Sequence, residues 1–274
     1  TLDELKRKDA AAWAETFGPA AMKKQPSFSY DSTPIPSTIK EQSDFIVSKG
    51  IARDAGGFTN AAAMQEPLRA ALEVSERFAI PPLAGFGAPS RYKAKIKGAN
   101  AAIMTRTNIK TGEEWAYFLV PRDFTKAGKI QESYKANAIN NERYFWPSAQ
   151  KAIQRKGIDP KVVKLFNDRM KENDFGWSAA SRQATDSARN TTVYHEYGHV
   201  LMDNNPATSS KIQSFMVDET PRGKGWGYLL SEYSQSSDDE FVAESFAYYM
   251  QGDANHWRIH PKLLKIFKGA DRKK

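Results

Sequence analysis

The segment Thr191-Thr-Val-Tyr-His-Glu-Tyr-Gly-His-Val-Leu201 holds two of the four histidines in the chain, His195 and His199, with Glu196 between them. On a helix, positions i and i+4 share one face about one turn apart, so both imidazoles can present a nitrogen to a single ion. Glu196 then projects beside the open coordination position. Zn2+ held in this way lowers the pKa of a bound water towards about 7 and polarises a carbonyl, while Glu196 takes the water's proton and returns it to a leaving amine. The chemistry implied is peptide hydrolysis. The flanking Thr192, Val193, Tyr194, Tyr197, Val200 and Leu201 are uncharged, as a buried metal-bearing helix requires, whereas a coincidental triplet on an exposed helix would normally be bordered by charge.

The chain contains no cysteine, so a metal site must be completed by His or carboxylate. Val200 to Pro206 has neither the Gly nor the distal His of the metzincin extension, which excludes that subclass. Downstream, Asp238-Asp-Glu-Phe-Val-Ala-Glu-Ser-Phe246 places Glu240 and Glu244 one turn apart on one helix face. One carboxylate can bind the metal while the other accepts a hydrogen bond from a ligand His, fixing its tautomer and basicity. Glu240 is the preferred third ligand, with Glu244 behind it. The reverse assignment is the alternative, and Ser237 with Glu240 also has the spacing of a helix-capping box. His256 and His260 repeat the i, i+4 spacing without a carboxylate at a suitable interval and read as structural or surface residues. Gly198 inside a helix costs about 1 kcal/mol relative to Ala, and close packing by a neighbouring element would explain it.

These residues need elements to position them. With 274 residues, 40% of them hydrophobic, the chain can bury the core of one large domain or two small ones. Thr1 with Glu4 predicts a helix over the first sixteen or so residues, and Thr38 with Glu41 predicts a short one closed by Gly50. A third is expected from about Glu66 to Phe78, stopped by Ile80-Pro-Pro. Alternating β-branched and aromatic runs then predict strands at Arg91–Lys97, Ala101–Thr107 and Trp115–Val120, an antiparallel meander. Helices follow at 161–171, at about 187–203 with a break at Asn204-Asn-Pro206, and from Ser237 to about Met250.

His-Glu-Tyr-Gly-His, then Tyr233 seven positions before Glu240, then Glu240-Phe-Val-Ala-Glu-Ser-Phe246, resembles the ATLF-type zincins, the gluzincin family of the anthrax lethal factor catalytic domain. Pro261-Lys-Leu-Leu-Lys-Ile-Phe267 is similar to the terminal helix of these domains, so the resemblance covers roughly residues 185–270. It implies Zn2+ as cofactor, with His195, His199 and Glu240 as ligands, Glu196 as the catalytic base, Glu244 behind the metal, and the Tyr233 hydroxyl stabilising the oxyanion or assisting the leaving group. Tyr228 is the competing tyrosine. The fold implied is α+β and zincin-like, mostly helical with a small mainly antiparallel sheet. A helical region over residues 1–90, subdomain or cover, would precede a catalytic domain over residues 91–274. In layout, Ile80-Pro-Pro-Leu-Ala-Gly-Phe86 followed by strands and the His-Glu motif resembles zincin domains attached to phage head or phage-borne toxin proteins. That favours a delivered or virion-associated protein, although the opening Thr1-Leu-Asp-Glu-Leu-Lys does not read as a leader.

The formal net charge is +8, unevenly placed: residues 226–257 hold six carboxylates and no Lys or Arg, whereas 258–274 hold seven Lys/Arg and one Asp. The basic stretches Arg91–Lys97 and Lys262–Lys274 read as solvated faces or lysine-protected strand edges rather than a nucleic-acid track, because aromatic interleaving is sparse. The expected partner is a peptide or protein substrate, with an acidic one an equally good use of the charge. No apolar run approaches the roughly 18 residues of a membrane span, so no membrane partner is expected. A strand edge, Trp115–Val120, is expected to pair with an extended peptide. The reading from another class is an inactive zincin acting as a structural or binding module.

Overall fold

The computed structural model describes residues 33–96, 101–121, 147–171, 179 and 185–273. The helix expected over the first sixteen residues lies outside them.

Helix α1 (Ile39–Ser48) starts where the Thr38 Oγ1 accepts the Glu41 amide and donates to the Glu41 carboxylate, the reciprocal cap read from the sequence. Helix α2 (Ala61–Arg77) begins five residues before the expected start, because Asn60 caps it through the Ala63 amide and the alanines that follow are strong helix formers. Strands β1 (Ala55–Gly56), β2 (Gly85–Gly87), β3 (Ala102–Thr107) and β4 (Glu114–Leu119) form one sheet in the order β1-β2-β4-β3. Later in the chain, after a helical segment at 147–155, come helices α3 (Pro160–Lys171), α4 (Thr185–Asn204), α5 (Pro206–Glu219), α6 (Asp238–Met250) and α7 (Pro261–Ala270). The Asn204-Asn-Pro206 break proves to be a sharp corner between two helices. Asn205 caps α5 and Pro206 occupies its first turn, where a missing N–H costs nothing. Among the described residues no helix is long and apolar enough to cross a membrane.

The molecule is α+β and largely helical, but its sheet is mixed rather than mainly antiparallel: only β3 and β4 run antiparallel, while β1–β2 and β2–β4 are parallel. Two of its strands are Ala-Gly and Gly-Phe-Gly, too short and too glycine-rich to alternate. Glycine is required at 87 because an added Cβ would lie 2.1 Å from the Gly56 carbonyl oxygen of the neighbouring strand. The strand expected at Arg91–Lys97 does not form over its described part. Pro89–Tyr92 is a 3-10 turn instead, held by a paired contact of the Arg91 guanidinium with Asp54 at 2.6 and 2.8 Å and by the Tyr92 hydroxyl on the Asp54 carbonyl. Strand β4 pairs on both sides and is therefore not an edge; the edge beside α4 is β3.

One continuous apolar cluster draws Leu68 and Leu72 from α2, Phe86 and Phe118 from the sheet, Val193 and Val200 from α4, Phe241 and Phe246 from α6, and Phe267 from α7. Phe86 stacks on Phe118 at 4.7 Å, and Phe118 meets Tyr197 of α4 at 5.6 Å, so the sheet is packed directly on the helix that carries the histidines. A smaller cluster of Ile153, Ile158, Phe166 and Leu229 lies under α3.

Candidate metal centre

Helix α4 presents His195 and His199 one turn apart, their ring centroids 5.1 Å from each other. Helix α6 packs across it at the closest point the backbone allows. A Cβ at Gly198 would lie 2.6 Å from the Ala243 Cα and 3.2 Å from the Phe246 Cβ, so glycine at this position is what lets the two helices touch. Ser237 caps α6 through the Glu240 amide, placing Glu240 in its first turn and aiming the carboxylate at the histidines. The cap and the ligand reading of Glu240 are therefore compatible, since one uses its backbone and the other its side chain.

One ligand atom from each of His195, His199 and Glu240 falls within 4.8 Å of the others. Glu240 Oε2 is 2.9 Å from His195 Nε2 and 3.6 Å from His199 Nε2. Ligand atoms at the corners of a tetrahedron around zinc, each about 2.0 Å from it, stand roughly 3.3 Å apart, so these separations suit a shared ion. Glu240 Oε2 is also buried and meets neither imidazole in hydrogen-bond geometry, leaving an electrostatic contact around a point that a cation would satisfy. Among the described residues this is the one group of three or more His or carboxylate side chains arranged for a metal.

The surrounding side chains fix these three. Glu244, 1% exposed, accepts at Oε1 from His195 Nδ1 at 2.8 Å, and its Oε2 takes the Ser231 hydroxyl and the Ala179 amide, both at 2.6 Å. The Tyr233 hydroxyl donates to Glu240 Oε1 at 2.8 Å, and its ring stacks on His195 at 5.7 Å. Tyr228 instead packs on the smaller apolar cluster. Glu196 is buried beside the histidines, and its Oε2 accepts the Ile103 amide of β3 at 2.9 Å. His256 stacks on Tyr249 and pairs with Asp253, while His260 caps α7 between Phe215 and Trp226.

Electrostatics follow from burial and crowding. Burial alone would lower the His195 pKa, but the Glu240 and Glu244 carboxylates more than offset it and hold the metal-free imidazole up at about 10. Burial likewise works to raise Glu240, yet contact with both histidines keeps its carboxyl well below the usual range. Glu196 is pushed upward, chiefly by burial, with His195, His199 and the Ile103 amide pulling the other way. Burial thus favours the protonated form of Glu196 more than it would be favoured in an exposed carboxylate.

Sequence reasoning missed Ile103, Ser231 and Ala179. Two of these act through backbone amides, which leave no trace in side-chain type, and Ser231 has no motif spacing to Glu244. Comparison with known families, curated proteins and solved structures finds no match for the chain.

Proposed function

We propose that this chain is a zinc-dependent endopeptidase of zincin type, with His195, His199 and Glu240 holding Zn2+ and Glu196 as the proton-transferring group. The observation that carries the reading is the convergence of two imidazoles and a buried, hydrogen-bond-free carboxylate oxygen beside Glu196. When bound, Zn2+ supplies Lewis acidity to the scissile carbonyl and acidity to a water.

The remaining work falls to the chain. The Ile103 amide holds one oxygen of Glu196, leaving the carboxylate oriented to take a proton from the attacking water and pass it to the departing amine. One C–N bond breaks, one C–O bond forms, and the water's hydrogens divide between the new carboxyl and the amine. Tyr233, whose hydroxyl rests on Glu240 Oε1, would turn that proton from Glu240 to the developing oxyanion. An extended peptide would add to β3: since the Ile103 amide points away from β4 and is taken by Glu196, alternation leaves the Ile103 C=O and the N–H and C=O groups of Thr105 and Thr107 facing outward for such a strand.

The test is a pair of measurements on Glu196→Gln. Zinc content by elemental mass spectrometry is expected to stay at one ion per chain, while hydrolysis of a peptide library falls to background. Retained hydrolysis would remove Glu196 from its role. Absence of zinc in the unmodified chain after titration would remove the metallopeptidase reading altogether.

A further inference from the structure

Each of the two metal-bearing helices carries a second tether, and both end on one arginine. Tyr194, the residue before His195 on α4, donates its hydroxyl to Glu73 Oε2 at 2.8 Å. Tyr249, five residues past Glu244 on α6, donates to Asp271 Oδ2 at 2.8 Å. Between the two carboxylates lies Arg77, the last residue of α2. It reaches Glu73 Oε1 at 2.5 Å through one Nη and grips both oxygens of Asp271, at 3.2 Å from Nε and 2.5 Å from the other Nη. The Arg77, Glu73 and Asp271 side chains keep only 14%, 13% and 4% of their exposure, so these contacts are shielded from solvent. The backbone joins in, with the Arg272 amide donating to the Arg77 carbonyl at 2.9 Å.

A metal centre tolerates ligand displacements of only about 0.2–0.5 Å. Apolar packing between α4 and α6 is non-directional, so it resists separation better than it resists sliding or rotation of one helix along the other. Directed hydrogen bonds to a planar guanidinium resist all three, and a fork of fixed geometry engaging two carboxylates at once is something Arg provides and Lys does not.

We infer that Arg77 is a positioning residue for the metal centre: by holding Glu73 and Asp271 together it fixes Tyr194 of α4 relative to Tyr249 of α6, and thereby the placement of His195 and His199 opposite Glu240. The inference rests on the metal reading proposed above. It makes α2, from the first third of the chain, a strut of the site.

The experiment is a zinc titration of the full metal-free chain against a chromophoric chelator, for wild type, Tyr194→Phe, Tyr249→Phe, the double variant, and the same changes in an Arg77→Met background. Far-UV circular dichroism and the thermal midpoint of the metal-free protein serve as fold controls, and the Co2+ absorption bands report ligand geometry. Each single Phe variant is expected to bind zinc about tenfold more weakly with shifted Co2+ bands and unchanged secondary structure, the lower end of what partners of ligating groups contribute. The double variant should lose little more than either single one, and the Phe changes should have no effect once Arg77 is gone. If Arg77→Met does not fold, non-additivity of the two Phe variants still decides. Zinc affinities equal to wild type, or strictly additive losses, overturn the inference alone. A wild-type chain that binds no zinc overturns it together with the metal reading.

Discussion

Glu244 reaches His195 on the Nδ1 side, at 2.8 Å, while Glu240 faces Nε2 of the same ring at 2.9 Å. The imidazole is thereby clamped between two carboxylates of one helix, and Glu244 is clamped in turn by Ser231 and Ala179. Removing Glu244 should therefore act on the metal without touching it. Glu244→Gln is expected to weaken zinc binding by roughly 10–100-fold, read by chelator competition. Glu244→Ala should in addition lower stability by about 1–3 kcal/mol for each buried donor it strands, read by denaturant unfolding. Unaltered zinc affinity in both would show that the clamp has no bearing on the metal.

Gly198→Ala places a methyl group 2.6 Å from the Ala243 backbone. Alanine favours helix by about 1 kcal/mol over glycine, yet overpacking typically costs about 1–3 kcal/mol, so a net destabilisation is expected together with weaker zinc binding as α4 and α6 are pushed apart. A more stable variant would mean that the interface can shift without strain.

Tyr233→Phe separates binding from catalysis. Zinc should remain at one ion per chain, and kcat should fall by about 10²–10³-fold with little change in KM, the pattern of a donor engaged in the transition state. Should Tyr228→Phe produce that loss in its place, the roles of the two tyrosines are exchanged.

Ile103→Pro deletes one amide. Proline is tolerated on an edge strand when its nitrogen faces away from the ladder, which holds at Ile103 because its amide points to Glu196. Stranding an oxygen of the buried Glu196 should lower stability by about 1–3 kcal/mol, and kcat should drop by roughly 10–100-fold, the equivalent of a hydrogen bond to a charged group. Full activity would show that Glu196 needs no support from β3.

Glu76 supplies a pH dependence of stability. Burial raises its pKa to about 7, against the opposing charges of Lys49 and Arg272, and its Oε2 is buried without a hydrogen-bond partner. The folded chain thus holds a proton that the unfolded chain releases near the ordinary glutamate value of 4.5. The associated stability is full below that value and is lost as pH rises through about 7. Glu76→Gln stays neutral throughout, so its thermal midpoint should exceed wild type at pH 8, with the gap closing towards pH 5. Parallel curves across that range would contradict the raised pKa.

Residue spacing alone accounts for what is local. The i, i+4 spacing of His195 and His199 sets both on one helix face whatever the rest of the chain does, and the caps at Thr38 and Ser237 depend on residues three apart. Helix α4 and helix α6 were legible from periodicity and stop signals, as were strands β3 and β4 from their β-branched and aromatic runs. What those elements meet depends on packing between segments distant in sequence. Strands β1 and β2 are two and three residues of mostly glycine, paired in parallel across distant sequence, and no local pattern encodes them. Their presence is what turns β4 into an interior strand and leaves β3 at the edge beside Glu196. Arg91–Lys97 alternates like a strand, but Pro89 and the contact of Arg91 with Asp54 draw its first residues into a turn. The backbone amides that hold Glu196 and Glu244, and the Arg77 junction joining residues 194 apart in sequence, exist because packing brings them together. A side-chain pattern reports helix faces and caps; the partners of a buried carboxylate are set by the three-dimensional path of the backbone.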